Sequence, residues 1–281
     1  MRCHEALTNA RSLLFVPGNR PGLFAKAMAS EADLVLFDLE DAVPSADKTS
    51  ARSVVAAWLD AGQVVAVRIN PEGTPEHTAD LELVSAHECI VVVPKSESAH
   101  SLRRAATTLS PRSPLVALIE TAAGVLAATE IAQTEQVERL AFGSFDLAAQ
   151  LGVDPTDQQA MYASRMALVL GSAAAELSPP IDGVTARLDD DEALAIETAH
   201  ARSLGFTARL CIHPRQVRTI HKALSPTSEE IAWAQRIVST SNGPGVTVIG
   251  HSMVDKPVID RAQKVLRDAQ NRKEDHEQPV E

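Results

Sequence analysis

The sequence predicts an α/β protein, a (β/α)8 TIM barrel followed by a C-terminal helical extension. Between residues 12 and 225, short runs rich in Val, Ile and Leu alternate eight times with longer segments of helical spacing. Most runs are continuously apolar, such as Leu34-Val35-Leu36-Phe37, which is typical of strands buried on both faces of a parallel sheet. A doubly wound open sheet normally has a glycine-rich turn after its first strand, and residues 15–21 contain a single glycine. The barrel is therefore favoured.

The eight units follow one another along the chain without a composition break. The predicted strands occupy residues 12–17, 33–41, 64–70, 89–95, 115–121, 139–146, 181–186 and 209–214. The helices between them are predicted at residues 21–30, 45–60, 76–87, 99–109, 124–133, 157–177 and 190–204. Two more helices are expected at residues 228–240 and 255–269. We therefore predict a barrel over residues 11–225, a helical lid or oligomerisation segment over 226–270, and a charged, disordered tail over 271–281.

Composition excludes several classes of protein. The 281 residues are 45% apolar, which is ordinary for a globular chain, and no run approaches the roughly 18 apolar residues of a membrane helix. The net charge is −11, and the basic residues are scattered, which argues against a nucleic-acid partner. The three cysteines are far apart and indicate reduced thiols. Because the N-terminus also lacks the apolar segment of a secretion signal, a cytoplasmic location is expected.

Ionisable residues collect where the predicted strands end. The active sites of such barrels lie at the C-terminal ends of the strands. A buried strand otherwise avoids charged side chains, so these positions indicate a functional site. The residues in question are Asp38, Glu40, Asp41, Arg68, Lys95, Glu120, Asp146, Asp182 and His213.

Glu120 and Asp146 close two successive predicted strands. Adjacent strands lie about 4.8 Å apart, so two carboxylates there repel unless a cation lies between them. An all-oxygen pair suits Mg²⁺, which keeps several waters and accepts substrate oxygens. The alternative is that each carboxylate caps the helix that follows it.

Asp38, Glu40 and Asp41 place three carboxylates within four residues at the end of one strand. In strand geometry Asp38 and Glu40 share a face, and at least one of the three is expected at the barrel mouth. The alternative is a solvated loop that caps the helix after Ser45.

Arg68 lies inside an otherwise apolar strand and must have anionic partners. Its planar guanidinium suits a substrate carboxylate, although a structural salt bridge to Glu40 or Asp41 is an equal alternative. Lys95 has the same two options, binding an anion or pairing with Glu97. His213 is a weak candidate for a general base, because such a residue more often fixes a loop by hydrogen bonding.

Taken in order, the strand-end motifs resemble the stand-alone citrate lyase β-subunit-like proteins of the HpcH/HpaI aldolase superfamily. The resemblance runs from about residue 12 to residue 266. The motifs are RSLLFVPG at 11–18, FDLEDAV at 37–43 with Lys48 and Ala51-Arg52, VRIN at 67–70, PKSE at 94–97, LIETA at 118–122, FGSFDL at 142–147, CIHP at 211–214 and MVDKP at 253–257.

The resemblance implies a Mg²⁺-dependent enzyme that cleaves or forms a carbon–carbon bond in a β-hydroxyacyl thioester of coenzyme A. By motif position, Glu120 and Asp146 match the metal ligands, and Arg68 matches the arginine that binds a carboxylate. Glu40 and Asp41 match the acidic pair that supports the metal waters.

The C-terminal motif and the first helix add further expectations. Asp255 matches an acid/base aspartate on a segment that closes over a neighbouring subunit's site, and members of the family are trimers or hexamers. Arg20 and Lys26, just after the first strand, are candidates for the coenzyme phosphates. Phe145 departs from the pattern, because the family usually has an acidic residue there, which affects the surroundings of the metal and the substrate preference.

The first hypothesis is thus a lyase that converts a thioester such as malyl-CoA or citramalyl-CoA into an α-keto acid and an acyl-CoA. One alternative is the citryl-thioester lyase subunit of a multi-subunit citrate lyase. A second is a non-catalytic ligand-binding barrel. An aldolase on free keto acids is a further option, but it does not need Asp255.

Overall fold

Eight parallel strands close into a barrel in the computed structural model, which describes residues 2–240, 247–249 and 252–277. Each strand is hydrogen-bonded to the next, and the last pairs with the first. The predicted (β/α)8 fold is confirmed. The strands are β1 Ser12–Pro17, β2 Leu34–Asp38, β3 Ala66–Arg68, β4 Ile90–Val93, β5 Leu115–Ile119, β6 Val137–Phe142, β7 Ile181–Asp182 and β8 Ala208–Cys211.

One helix of the barrel unit precedes the first strand, and the others follow the strands and form the outer layer. They are α1 Arg2–Asn9, α2 Pro21–Met28, α3 Lys48–Asp60, α4 Pro75–Ser85, α5 Ala99–Ala106, α6 Ala122–Leu126, α7 Ala128–Ala132, α8 Ser144–Leu151, α9 Gln158–Ala174, α10 Asp191–Leu204 and α11 Arg215–Ala223. A short 3-10 helix, Ser45–Asp47, precedes α3. None of the described helices is both long enough and apolar enough to span a bilayer.

Side chains alternate between the barrel interior and the helix layer. In β2, Leu34 and Leu36 belong to the inner cluster, whereas Val35 and Phe37 pack against the helices. Successive strand residues point to opposite faces, so the next inward position is Asp38 at the end of β2. The same count along β3, from the inward Ala66, reaches Arg68. This alternation brings a carboxylate and a guanidinium to the same end of the barrel.

The opposite end of the barrel is closed by α1, which the sequence reasoning did not predict. Cys3 and Leu7 are buried in the same cluster as the barrel interior. The fully buried Arg139 donates from Nη1 to the carbonyl oxygens of Leu7 (3.1 Å) and Ala10 (2.8 Å), which are left free at the end of the helix. Burial lowers the pKa of Arg139 to about 9. The hydrogen bonds from Arg139 hold the C-terminal end of α1 against the barrel.

Residues from Ser225 onward form a second unit. It contains α12 Ser228–Thr240, a two-stranded antiparallel sheet of β9 Thr247–Ile249 and β10 Ser252–Val254, and α13 Lys256–Glu277. The buried residues Ala234, Ile237 and Ala262 join the two helices. Helix α13 continues to Glu277, beyond residue 271 where we expected a tail to begin, and residues 278–281 lie outside the described part.

Candidate active site

The C-terminal ends of the strands surround a cavity of about 440 Å³, a volume typical of small-molecule sites. Its lining divides into a charged part and an apolar part. The charged part contains Asp38, Asp41, Arg68, Glu120 and Asp146. The apolar part contains Phe15, Leu118, Phe142, Phe145, Val184, Leu210 and Ile212.

Arg68 is held by Asp38 through a two-point contact. Nε and Nη2 of Arg68 each lie 2.7 Å from a carboxylate oxygen of Asp38. The guanidinium carbon also lies 4.8 Å from the ring centre of Phe15. Burial by itself would lower the pKa of Arg68, but the hydrogen bonds and charge of Asp38 raise it well above its ordinary value. The expected structural salt bridge is thus present, with Asp38 as its main partner. Because a guanidinium has five N–H groups, donors remain for a ligand.

Glu40 follows Asp38 in a loop whose backbone is fixed by buried polar side chains. Asp38 accepts hydrogen bonds from the backbone N–H groups of Glu40 (2.9 Å) and Ala42 (3.1 Å). The buried Lys48 donates to the carbonyl oxygens of Leu39 (2.8 Å) and Glu40 (3.0 Å). Glu40 Oε2 lies 2.9 Å from Arg68 Nη1, yet accepts no aligned hydrogen bond. This oxygen keeps the capacity to accept a hydrogen bond from a ligand or a bound water.

Glu120 comes directly after β5 and is almost fully buried. Its Oε1 accepts a hydrogen bond of 2.8 Å from the backbone N–H of Lys95. Gly143 lies against it so closely that a Cβ at position 143 would be 2.3 Å from Glu120 Cβ, so only glycine fits there. Burial, followed by the charge of Glu40, raises the pKa of Glu120 to about 7. A carboxylate buried in this way gains most from a nearby cation.

Asp146 lies in the first turn of α8, so the prediction that it ends a strand is wrong. β6 stops at Phe142, and the chain turns at Gly143, whose N–H bonds to the Ile119 carbonyl oxygen at 2.9 Å. A carboxylate in the first turn of a helix is stabilised by the helix dipole. The side chain is 48% exposed and, like Glu120, lines the cavity.

Lys95, for which the sequence left open binding an anion or pairing with Glu97, links these carboxylates. Its Nζ lies 3.0 Å from Glu40 Oε1, 3.5 Å from Asp146 Oδ2 and 3.7 Å from Glu120 Oε1. Burial lowers the pKa of Lys95, but these three carboxylates raise it more strongly, to above its ordinary value. Lys95 thus forms ion pairs with Glu40, Glu120 and Asp146, which are distant in sequence, and not with Glu97. The signal in the sequence was its place at the end of a buried apolar strand.

The residues present fit a hard divalent cation. Within the described ranges no group of three or more His, Cys, Asp or Glu side chains forms a ready-made metal cage. Glu120 and Asp146 nevertheless approach one point, Lys95 Nζ, each within 4 Å. Two carboxylates with open positions for water and substrate are the usual protein contribution to Mg²⁺. Oε1 of the buried Glu40 lies 3.0 Å from the same Nζ and adds a third carboxylate there.

Of four further predicted residues, three belong to the barrel unit and one to the second unit. Arg20 and Lys26 are exposed, at the start and in the last turn of α2, and neither lines the cavity. His213 Nδ1 accepts from the Arg215 backbone N–H at 3.1 Å, which is the loop-fixing role. Asp255 belongs to the second unit, where its Oδ1 accepts from the Val258 N–H at 3.3 Å at the start of α13.

Asp182 also ends a strand, but it faces the helix layer. Its two oxygens accept from Arg165 Nε (3.1 Å) and Arg209 Nη1 (2.6 Å). Arg209 Nη2 lies 2.8 Å from both Glu197 Oε2 and Thr185 Oγ1. This second cluster is buried and balanced in charge. The inward neighbour Ile181 shows why, since side chains alternate along β7.

Comparison with known proteins agrees with the fold. Residues 11–214 match the model of the HpcH/HpaI aldolase/citrate lyase family. The chain belongs to this family. The match includes Glu40, Asp41, Arg68, Glu120 and Asp146.

Individual members of the family are similar over nearly the whole chain. A citrate lyase subunit beta-like protein of Mycobacterium tuberculosis is 37% identical, covering 91% of this chain and 94% of its own. A (3S)-malyl-CoA thioesterase of Cereibacter sphaeroides is 32% identical, covering 92% and 94%. The crystal structure of CitE from M. tuberculosis with magnesium, acetoacetate and coenzyme A superposes with a TM-score of 0.84 at 34% identity, covering 94% of this chain and 99% of that one.

Proposed function

We propose that this protein is a Mg²⁺-dependent carbon–carbon lyase. It cleaves a β-hydroxyacyl-CoA thioester, such as malyl-CoA or citramalyl-CoA, into an α-keto acid and an acyl-CoA, or forms the thioester from these two compounds. The observation that carries this proposal is that Glu120 and Asp146 line the same cavity as Arg68 and both approach one point, Lys95 Nζ. The similar CitE structure contains magnesium, acetoacetate and coenzyme A, which are the corresponding metal, a keto acid and the carrier.

Each charged residue has a task in this reaction. Bound Mg²⁺ would supply a Lewis acid beside the keto oxygen. Glu120 and Asp146 would hold the ion, and Glu40 and Asp41 would accept hydrogen bonds from its waters. Asp38 fixes the Arg68 guanidinium by two hydrogen bonds, so that the remaining N–H groups bind the carboxylate of the keto acid in one orientation.

Asp255 would act as the acid/base group at the thioester. In the synthetic direction its carboxylate takes a proton from the carbon next to the thioester carbonyl, and that carbon attacks the keto carbon. In cleavage the hydroxyl group loses its proton to water and becomes the keto group as the carbon–carbon bond breaks, and the Asp255 carboxylic acid gives a proton to the carbon next to the thioester carbonyl. We expect Asp255 to serve the site of a neighbouring copy in a homotrimer or homohexamer, and Arg20 and Lys26 to bind the coenzyme phosphates. We also expect the enzyme to be cytoplasmic.

Turnover of defined thioesters tests the reaction. The purified protein is incubated with Mg²⁺ and malyl-CoA, citramalyl-CoA or citryl-CoA, and keto acid and acyl-CoA are quantified by mass spectrometry. Glu120→Gln and Asp255→Asn are expected to lose activity, whereas Glu135→Gln, an exposed residue before the amino end of β6, is the matched control. If no thioester is cleaved by the wild type, the proposal is wrong.

Subunit complementation tests the placement of Asp255. Glu120→Gln and Asp255→Asn proteins are inactive alone, but mixed oligomers contain sites with both residues intact. Recovery of activity on mixing supports the shared site, and light scattering gives the number of copies. If mixed oligomers form and remain inactive, the proposal that Asp255 serves a neighbouring copy is wrong.

A thioesterase is the second candidate, because a relative at 32% identity has that name. It would release free coenzyme A thiol together with the intact hydroxy acid and no keto acid. The same assay, with a thiol reagent added, separates the two reactions. A subunit of a multi-subunit citrate lyase would instead leave free CoA thioesters untouched and act only on a thioester carried by a partner protein.

A further inference from the structure

Lys95 touches Glu120 in two independent ways. Its backbone N–H donates to Glu120 Oε1 at 2.8 Å, and its ammonium lies 3.7 Å from the same oxygen. The backbone contact belongs to a fixed conformation, since Lys95 has φ of 47° in the left-handed region. Non-glycine residues seldom adopt this region, and those that do cluster at functional sites. The side chain, in contrast, is a flexible chain of four carbons that is 40% exposed.

The ammonium contacts both of the carboxylates that would hold the metal ion. Among the described residues, Lys95 is the only cation that forms an ion pair with Glu120 or Asp146, at 3.7 Å and 3.5 Å. A Mg²⁺ ion and the ammonium are both positive, so they repel each other and compete for the same negative charge. Movement of the side chain away from the two carboxylates therefore favours metal binding.

Glu40 provides the place to which the ammonium can move. The shortest of its three contacts, 3.0 Å, is with Glu40 Oε1, and Glu40 is held in position by the Lys48 contacts to its loop. Rotation toward Glu40 preserves this ion pair while it releases Glu120 and Asp146. The backbone N–H of Lys95 stays on Glu120 throughout.

We propose that Lys95 is a resident counter-cation that competes with the divalent ion for Glu120 and Asp146. This inference rests on the proposed function, because it assumes that these two residues are the metal ligands. It assigns Lys95 a positioning role with two parts. The main chain orients Glu120, and the side chain neutralises the ligands until a metal replaces it. The metal affinity of the substrate-free enzyme is then reduced by the fraction of molecules in which the ammonium occupies the site.

The test measures Mn²⁺ binding by electron paramagnetic resonance in the absence of substrate, at pH 8.5 where the carboxylates are ionised. Lys95→Met keeps the backbone N–H and removes the charge, and it is expected to bind Mn²⁺ about tenfold more tightly than the wild type. Lys95→Arg keeps the charge and is expected to bind as weakly as the wild type. Lys222→Met removes a positive charge from an exposed position in α11 and is expected to change nothing.

A second readout does not depend on spectroscopy. Without the ammonium the three carboxylates repel, so Lys95→Met is expected to have a lower Tm than the wild type without metal and a larger gain in Tm with Mg²⁺. Lys95→Asn, whose side chain suits the left-handed conformation, is the companion variant if Lys95→Met folds poorly.

The outcomes separate this inference from the proposed function. Wild-type binding of Mn²⁺ with equal or weaker binding by the neutral Lys95 variants overturns the role of Lys95 alone. Absence of Mn²⁺ binding in the wild type and in every variant overturns both the metal site and the role of Lys95. Tighter binding in Lys95→Met and Lys95→Asn, but not in Lys95→Arg, supports the role.

Discussion

Two clusters of buried charge in the same barrel differ in their balance. In the part of the chain that the structure describes, ion pairs at the mouth join five carboxylates, Asp38, Glu40, Asp41, Glu120 and Asp146, to two cations, Arg68 and Lys95. The β7–β8 cluster has two carboxylates, Asp182 and Glu197, and two cations, Arg165 and Arg209. The balanced cluster neutralises itself and needs no ligand. The mouth cluster is left with an excess of acid, which an added cation relieves.

The direction in which the side chains point accounts for this difference. The mouth cluster lies on inward positions of the strands and on the loops that follow them, where the cavity opens. The β7–β8 cluster lies on outward positions, where α9 and α10 contribute Arg165 and Glu197. Groups in the helix layer are sealed from solvent and must satisfy one another. Groups at the mouth are free to bind an external partner.

The largest expected effect is that of Glu120→Gln on catalysis. It removes a proposed metal ligand, so we predict a loss of activity of about 10³-fold or more. The same change is expected to stabilise the metal-free protein at pH 8. The folded-state pKa of Glu120 is about 7 against an ordinary 4.5, so the wild type loses stability as pH rises through this window, by up to about 3 kcal/mol.

Urea unfolding without metal at pH 4 and pH 8 measures this contrast. The glutamine variant lacks the titrating group, so its stability relative to the wild type should rise between the two pH values. If the free energy of unfolding depends equally on pH in both proteins, the raised pKa of Glu120 in the folded state is contradicted.

In the β7–β8 cluster, Arg209→Met is expected to affect folding and not chemistry. It leaves the Asp182 carboxylate buried with one partner fewer, which costs roughly 3–5 kcal/mol of unfolding free energy. Arg112→Met, in an exposed pair with Glu88 at 3.7 Å, is the control and should cost less than about 1 kcal/mol. Urea unfolding gives both values. A marked change in the Mn²⁺ affinity of the folded Arg209→Met protein would contradict the claim that the β7–β8 cluster has a purely structural role.

The affinity of the mouth cluster for metal should depend on pH. Protons compete for Glu120 below its pKa of about 7, so Mn²⁺ affinity is expected to rise by up to about tenfold per pH unit below that value and to level off above it. Titrations of Mn²⁺ between pH 5.5 and pH 8.5 would show this curve. A flat curve in the wild type would mean that no ligand titrates in this range.

The smallest effect is expected at Phe145, which lines the cavity next to Asp146. Phe145→Glu introduces the acidic residue that the sequence resemblance led us to expect there, and adds a sixth carboxylate to the mouth. We predict a several-fold lower kcat/KM for an anionic thioester, with the difference reduced in high salt. Phe145→Gln, which is polar but neutral, is the control. Equal loss in both variants would point to apolar contact and not to charge.

The sequence predicts the barrel well because continuous apolar runs alternate eight times with helical segments, and the glycine-rich turn of a doubly wound sheet is missing after the first strand. It also identifies Arg68 and Glu120, because a charged residue at the end of a buried strand is conspicuous. The same rule selects Asp182 wrongly, because a two-residue strand gives no periodicity from which to read its face. Side-chain direction was thus the missing information.

Other features depend on contacts between distant segments. The pairing of Arg68 with Asp38 depends on the register of β2 against β3. The role of Lys95 depends on three loops that meet at the mouth. Helix α8 was missed because residues 144–151 continue the apolar run of β6, and only the turn at Gly143 separates them. Helix α1 is short and polar, and its burial depends on the open end of the barrel.

Anomalous diffraction from crystals soaked with Mn²⁺ tests most directly whether the excess acid at the mouth is a metal site. We expect one strong peak at about 2.0–2.2 Å from a carboxylate oxygen of both Glu120 and Asp146. We also expect the Lys95 ammonium to have moved toward Glu40. No peak at the mouth, or a peak bound by other residues while Lys95 stays between Glu120 and Asp146, would contradict the metal site.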